Sequence, residues 1–497
     1  MKHIVIALFL LPATVAAQDT LHTRISYDLT AETAVGTGNH TAYHLAANRH
    51  HVLSTRQNTA YLRGALSMTH QISRDWRLQA AVDAIGSVHG DHRVYLQQAY
   101  ARLSWRGLYA EAGSREDALV VRQGQLSIGS FVKGTNAKPV PQVRIGTHGF
   151  VDIPFTAHWV QANFDAGYGK FMDSGYREDR FRQAPGVNNR YTTGAYYHQK
   201  HLYFRTNPTK PLFVLVGIEH AVQFGGTSHT VGADGQLTTK HKPANLKAFW
   251  DVILPLGDSN YFENESMEDW VWGNHIGVMT YQLGVNLNRH QRLQAYCDNP
   301  FEDGSGVRKG NGYDGLWGLQ YSNSAPGRQW VRGAVVEYFQ STNQCGPLHW
   351  DSGDWPEPVR SQITDLVTGN DDYYNHLFYD GYSHYGMTPG IGLITSPIYN
   401  SDGYTSYRDN RIRAWQAAAN GEIDNRWSYL AKCTYREGRG TYVRPLTEKS
   451  HSFDALLQGI YSRGPWQLSA AYALSLGNIL GDSHTLNLKI SYHGKLL

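Results

Sequence analysis

The residues best suited to ligand chemistry lie in one long stretch, 344–408, which is dense in aromatic and acidic side chains. Aromatic rings stack on the faces of sugar rings, and carboxylates and amides bond hydroxyl groups, so this composition predicts contact with a polysaccharide. The same aromatic residues could equally form a small core for a loop that packs on itself. A glycine-rich stretch, 299–311, could be a polar rim loop for the same ligand or only a tight turn. The candidate polysaccharide-binding residues are Glu302, Asp303, Trp350, Asp354, Trp355, Tyr374 and Tyr385.

Other reactive side chains lack the spacing that catalysis or metal binding needs. Acid pairs such as Asp351 and Asp354 would suit a glycoside hydrolase only if their carboxylates faced each other in space, which sequence spacing does not establish. The chain contains no GxSxG nucleophile motif. The closest histidine groups, at 40–44, 50–51 and 198–201, come without an HExxH-type pattern. We therefore expect no enzyme activity, no catalytic residue, no metal site and no cofactor.

The chain that carries these loops consists of segments of about ten residues in which apolar and polar side chains alternate. In 466–477, for example, Leu468, Ala470 and Tyr472 share one face, whereas Gln467 and Ser469 share the other. Alternation of this kind predicts strands that separate an apolar environment from a polar one. The predicted strands are 22–35, 59–71, 76–88, 93–105, 108–116, 140–147, 157–171, 196–206, 212–225, 274–288, 291–299, 313–323, 330–343, 409–422, 427–438, 450–462, 466–477 and 485–494.

The connections between these strands alternate in length. Tight turns are predicted at 73–75, 106–107, 207–211, 289–290, 324–328, 424–426 and 463–465, and long connections at 117–139, 172–195, 226–273, 300–312, 344–408 and 439–449. A secreted sandwich or propeller has no reason to alternate in this way, whereas short periplasmic turns and long outer loops are the rule for outer-membrane barrels. The sequence therefore predicts an all-β fold, a transmembrane antiparallel outer-membrane β-barrel of about 18 strands with both termini in the periplasm.

The predicted inward faces carry charges of both signs, which indicates a wet or internally paired lumen and not a greasy tunnel. In 330–343 the set Val331, Val335 and Phe339 also includes Glu337, and in 93–105 neither face is clean, so bulges or misplaced ends are expected. The inward-facing charged residues are Arg24, Asp28, Glu32, Arg63, Arg77, Asp83, Asp165, Arg205, Glu219, Arg292, Asp298, Lys432, Asp454 and Lys489.

The first residues, 1–17, have Lys2 before the apolar run 4–11 and small residues at Val15 and Ala17, which predicts a signal peptide cut before Gln18. Residues 18–497 then form a single barrel domain in the outer membrane of a Gram-negative bacterium. The expected partners are outer-membrane lipid and, during insertion, the barrel assembly machinery. The net charge of +3 gives no support to nucleic-acid binding.

The three cysteines, Cys297, Cys345 and Cys433, fit neither a disulfide scaffold nor a CxxC zinc pattern. A bridge between Cys297 and Cys345 near one barrel rim and isolated thiols in β-structure are the two alternatives.

Seven segments of the chain carry a family resemblance. They are 136–146 (NAKPVPQVRIG), 196–205 (YYHQKHLYFR), 215–226 (LVGIEHAVQFGG), 301–306 (FEDGSG), 314–321 (DGLWGLQY), 373–390 and 435–442 (YREGRGTY). In this order along the chain, they resemble the capsule assembly Wzi family in the form common in Bacteroidetes-like bacteria.

The resemblance implies an eighteen-strand outer-membrane barrel that acts as a surface lectin, without enzyme activity. Enteric members carry a helical bundle after the signal peptide, whereas 24–34 here already alternates like a strand. The expected function is to bind and anchor, or help assemble, capsular or other surface polysaccharide through the long outer loops. A diffusion channel or transporter is the alternative, because the predicted lumen is charged.

Overall fold

Eighteen antiparallel strands close into one barrel. This computed structural model describes residues 23–232, 234–254, 273–302, 304–307, 309–344, 371–376 and 378–497. The first strand pairs with the second and also with the last, so the sheet has no free edge at its seam. The strands, β1 to β18, are Thr23–Thr37, Thr59–Gln71, Trp76–Val88, Val94–Trp105, Leu108–Ser114, Gln142–Thr147, Val160–Lys170, Tyr196–Thr206, Leu212–Phe224, Asn274–Asn286, Gln291–Phe301, Gly315–Asn323, Gly333–Gln340, Ile412–Glu422, Trp427–Gly440, Pro445–Arg463, Trp466–Gly477 and Ser483–Lys495.

The strand prediction is confirmed along the whole described chain, and four strands (β2, β3, β8 and β17) have the predicted bounds. The main difference concerns the expected long connection at 439–449. The structure has a short turn there, because β16 begins at Pro445 and pairs with the end of β15. Residues 442–449 are exposed on both faces of this hairpin, so no alternation in the sequence marked them as strand.

The barrel wall has an apolar exterior. On β10, Leu283 and Val285 are exposed, whereas Thr280 and Gln282 are buried inside, as predicted. Exposed tryptophans form a belt next to the periplasmic turns, which is the position of an aromatic girdle at a membrane interface. The belt consists of Trp76, Trp105, Trp159, Trp330, Trp427 and Trp466. This wall is that of a β-barrel in the outer membrane of a Gram-negative bacterium.

Short elements decorate the connections. The helices are α1 (Tyr43–Ala46), α2 (Ser174–Gln183), α3 (Leu246–Asp251) and α4 (Gly304–Val307), with a 3₁₀ turn at Pro397–Tyr399. No helix in the described ranges has the length and apolar character needed to cross a membrane. Arg190–Thr193, Gly226–Val231 and Leu237–Lys242 form a three-stranded sheet on the outer side, Asn375–His376 pairs with Asp380–Gly381, and Val151–Asp152 extends the periplasmic edge of β7.

The expected irregularity in 93–105 is a β-bulge. Asp83 pairs with Gln98 and Ala84 pairs with Leu96, so Gln97 is the extra residue of β4. The side chain of Gln97 is buried and donates hydrogen bonds to the carbonyl of His50 (2.9 Å) and to Glu116 (2.8 Å). The bulge therefore moves one polar side chain inward, towards two of the outer connections.

Three outer connections fold back into the lumen and pack on one another. We call the segments 38–58, 115–141 and 371–411, as far as they are described, the plug. Asn48 donates a 2.9 Å hydrogen bond to the carbonyl of Ile128, and the Tyr382 hydroxyl donates to that of Val132 (3.0 Å). Phe131, Tyr374 and other buried plug residues share one core with wall residues of β8 to β14. The lumen is thus occupied by folded chain.

The plug is fixed to the wall by paired charges. Arg49 of the plug bonds Glu32 of β1 (2.7 Å), and Arg122 of the plug pairs with Asp298 of β11. Two strands from Asp298, the carboxylate of Glu337 on β13 accepts hydrogen bonds from Ser127 and from the amide of Ile128. The mixed charges predicted for the lumen therefore serve as anchor points for the plug.

Candidate functional site

A cluster of aromatic and basic side chains lies at the outer end of the barrel, where four connections meet. Its members are His92, from the β3–β4 turn; Tyr95, at the outer end of β4; Lys138, from the plug; Tyr176, on α2; and Tyr385, also from the plug. All five are partly exposed. We call this cluster the Lys138 site.

Lys138 lies between two aromatic rings. Its ammonium nitrogen is 4.0 Å from the centroid of the Tyr95 ring and 5.0 Å from that of Tyr385, both within the range of cation–π contact. Within the described ranges it has no carboxylate partner. Burial lowers the pKa of Lys138 to about 8, so the ammonium is mainly protonated at neutral pH. The site therefore presents a single positive charge on an aromatic surface.

His92 contributes a neutral imidazole to the same cluster. Its ring centroid is 4.9 Å from that of Tyr385 and 5.6 Å from that of Tyr95. Burial, together with its neighbours His51 and Lys138, lowers the pKa of His92 to about 4. Its Nε2 atom is buried and has no hydrogen-bond partner among the described residues. The site thus contains one polar atom whose bonding capacity is unused.

His384 holds the elements of the site together. Its Nδ1 donates to the backbone oxygen of Lys138 (2.9 Å), and its Nε2 accepts from the amide of Met172 (3.4 Å). The tautomer with the proton on Nδ1 is assigned from these two partners. Burial lowers the pKa of His384 to about 4, so the ring is neutral at physiological pH. Next to it, the Tyr385 hydroxyl donates to the carbonyl of Met172 (2.9 Å). Tyr385 and Lys138 are therefore both fixed relative to the loop that precedes α2.

The nearest acidic groups are engaged elsewhere. Asp91 accepts hydrogen bonds from His51 (3.1 Å), from the Ser54 hydroxyl (2.9 Å) and from the amide of Thr55 (2.9 Å). Burial opposes the ionisation of Asp91, but these hydrogen bonds outweigh it and hold the pKa of the carboxyl below its usual range. Asp173 binds Arg177 (3.0 Å) and the amide of Tyr385 (3.1 Å). Neither carboxylate is an ion-pair partner of Lys138.

The structure separates the candidate residues predicted from the sequence. Tyr385 belongs to the Lys138 site. Tyr374 is fully buried in the plug, with its ring 4.8 Å from that of Phe131, and its amide donates to Glu302 (2.9 Å). Asp303, Trp350, Asp354 and Trp355 lie outside the described residues. Tyr374 and Glu302 therefore contact each other within the loop packing and not at the Lys138 site.

Sequence reasoning missed most of the Lys138 site. His92 comes from a short turn, Tyr95 from the predicted strand 93–105, and Tyr176 from the predicted long connection 172–195. No candidate was drawn from these segments, because the prediction concentrated on the longest loop. The only sequence signal near Lys138 is its position in 136–146, one of the segments that carry the family resemblance.

Within the described ranges, neither a group of metal-binding side chains nor the lipid-facing wall offers a second site for a sugar. Among the described residues, no three His, Cys, Asp or Glu side chains are grouped so that they could hold a metal ion. Cys297 and Cys433 have free thiols, and Cys345 lies outside the described residues. A depression of about 800 Å³ is lined largely by outward-facing apolar residues such as Leu62, Leu468 and Leu488, which suits lipid chains better than a sugar.

Comparisons with known proteins support the fold. The chain matches no protein-family model and no curated protein sequence. It is similar in structure to Wzi of Escherichia coli, described as an outer membrane protein involved in group 1 capsule assembly and as a carbohydrate-binding β-barrel, with a TM-score of 0.56, 10% identity, and coverage of 94% of this chain and 83% of Wzi. Less similar structures include OccK5 of Pseudomonas aeruginosa (TM-score 0.43, 9% identity, 96% and 98% coverage) and OccAB2 of Acinetobacter baumannii (0.47, 9%, 96% and 98%). At these identities the likeness to Wzi shows that this chain has the fold of an outer-membrane β-barrel.

Proposed function

We propose that this protein is an outer-membrane lectin that binds capsular or other surface polysaccharide at its outer face and anchors it or helps to assemble it. The observation that carries the proposal is the plug. Because folded chain occupies the lumen and is bonded to the wall on several sides, the surface offered to a large ligand is the outer face. That face carries the aromatic rings of the Lys138 site, and rings with a few polar groups are typical of saccharide contact.

The carbohydrate binding stated for Wzi of Escherichia coli supports the same proposal, since the two chains share a fold over most of their lengths. We propose that the protein is not an enzyme. Anchoring a polysaccharide requires only binding. In the described chain, the most strongly interacting charged side chains take part in the packing of the plug.

A diffusion channel is the alternative that the charged lumen raises. Many of these charges are paired with one another, however. Arg144 bonds Asp117 (2.6 Å), Lys133 bonds the same carboxylate (2.8 Å), and Arg102 bonds Glu111 (2.7 Å). Paired charges within packed segments favour a structural role over ion conduction.

Two measurements on purified protein test the proposal. Surface polysaccharide isolated from cells of the same bacterium should bind to the protein in detergent micelles, and its chain length should be unchanged after incubation. In planar bilayers the protein should give a closed trace. A steady open conductance without polysaccharide binding would identify a channel, and shortening of the polysaccharide would identify a hydrolase.

A further inference from the structure

We infer that the Lys138 site binds an acidic sugar residue, with the carboxylate of the sugar on the Lys138 ammonium and its ring against Tyr95 and Tyr385. This inference rests on the proposed lectin function and names the class of its ligand, a polysaccharide with carboxylate-bearing residues.

Lys138 has no counter-ion among the described residues. A partly buried ammonium normally has an acidic partner, because loss of hydration disfavours the charge. Among the described residues, Lys138 has only the faces of Tyr95 and Tyr385, while Asp91 and Asp173 are committed to other donors. Cation–π contact offsets only part of the lost hydration. A ligand carboxylate would supply the missing acceptor and the missing charge together.

The rings of Tyr95 and Tyr385 are fixed in position before any ligand binds. The Tyr95 hydroxyl donates to the carbonyl of Val52 (3.4 Å), and the Tyr385 hydroxyl donates to that of Met172. Their polar ends therefore point into the protein, and their ring faces border the ammonium. Tyr176 packs edge-on against Tyr385, with centroids 6.2 Å apart. A surface held in this way loses little conformational entropy when a sugar ring binds to it.

The Nε2 atom of His92 is a second polar group at the site. It is buried and has no hydrogen-bond partner in the described part of the chain, which costs free energy that a hydrogen bond would restore. The imidazole is neutral and lies in edge contact with Tyr385, so a hydroxyl group that entered beside the carboxylate could bond it. One ammonium and one neutral nitrogen match a sugar with one negative charge and free hydroxyls.

The test compares intact surface polysaccharide with the same material after its carboxyl groups have been reduced to alcohols by carbodiimide and borohydride. Binding to the full-length protein in micelles is measured for wild type, Lys138→Met and Lys138→Arg. Lys210→Met is the matched control, because Lys210 makes the same kind of contact, 5.1 Å from the ring centroid of Trp159, on the periplasmic turn. Heat-modified migration on gels shows that each variant is folded.

We expect Lys138→Met to weaken binding of the intact polysaccharide by about tenfold or more, since hydrogen bonds to charged groups contribute that much. Lys138→Arg should retain part of the affinity, and Lys210→Met all of it. Reduction of the carboxyl groups should weaken binding to wild type by a similar factor. Wild type and Lys138→Met should then bind the reduced polysaccharide with equal affinity.

Equal binding of intact and reduced polysaccharide by wild type overturns the inference and leaves the lectin function standing. Absence of binding in both forms overturns both. The reduction experiment uses wild type alone, so it decides the matter even if a Lys138 variant does not fold.

Discussion

The carboxylate of Glu337, on β13, accepts a 2.7 Å hydrogen bond from the backbone amide of Ile128 in the plug. The hydroxyls of Ser127 (2.6 Å) and Tyr296 (2.5 Å) donate to the same group, which is completely buried. Several donors, from both the wall and the plug, converge on this one group. The seating of the plug therefore depends strongly on one acid.

Replacing this acid should loosen the plug without preventing insertion of the barrel. Glu337→Ala leaves three buried donors without their acceptor, which we expect to cost roughly 3 kcal/mol or more. The temperature at which half of the protein changes its migration on gels, which we call the heating midpoint, should fall. Planar bilayers should show intermittent conductance. Glu422→Ala is the control, because it breaks a surface pair with Arg332 (3.1 Å) at the periplasmic rim. A closed trace and an unchanged midpoint for Glu337→Ala would show that other contacts seat the plug.

The neutral state of His384 predicts a loss of stability in acid. The pKa of His384 is about 4 in the folded protein and has its ordinary value of about 6.5 in the unfolded chain. The unfolded chain therefore takes up a proton first, and stability falls as the pH drops from about 6.5 towards 4, by up to about 3 kcal/mol. His384→Gln should lower the midpoint at pH 7.5 but remove this part of the pH dependence. Parallel pH profiles for wild type and variant would contradict the assignment.

Polysaccharide binding should weaken in mild alkali if Lys138 holds a carboxylate. With its pKa at about 8, Lys138 loses its charge above that pH, so affinity should be constant from pH 6 to about 7.5 and fall by pH 9. The titratable groups around it are His51, Asp91, His92, Tyr95, Asp173, Tyr176, His384 and Tyr385. The pKa values of His92 and His384, at about 4, keep both rings neutral throughout this range. Lys138→Arg stays charged and should show no decline.

The long-loop candidates can be separated from core residues by comparing affinity with stability. If Trp350 and Trp355 contact polysaccharide, the double change to Ala should reduce affinity and leave the heating midpoint unchanged. Tyr374→Ala should instead lower stability by about 3 kcal/mol or more, because its ring fills the plug. If the tryptophan double variant lowers the heating midpoint as much as Tyr374→Ala does, Trp350 and Trp355 have a packing role.

The barrel was predictable because its wall follows a local rule. Lipid outside and polar groups inside impose a two-residue period, which can be seen in each strand without knowledge of its partners. The rule failed where the environment differs. On β13, Val335 and Phe339 face inward beside Glu337, because the plug gives that part of the lumen an apolar surface.

The candidate site was less predictable because it depends on contacts between distant segments. Tyr374 and Tyr385 come from the same aromatic stretch, yet one fills the plug and the other lies beside Lys138. Residues that contact sugar and residues that pack inside a loop have the same aromatic composition. The sequence therefore left these two roles as equal alternatives. The partners that decide between them, Phe131 for one and Tyr95 with Lys138 for the other, are far away along the chain.

The seam between β1 and β18 has a consequence for biogenesis. Asn487 of β18 donates to Glu32 of β1 (2.9 Å), so the wall is completed by the first and last strands of the chain. Such pairing has the greatest sequence separation in the molecule and forms only after the last strand has been translocated. All three plug segments precede β18 and have already been delivered by then. The plug segments are therefore available when the wall closes at this seam.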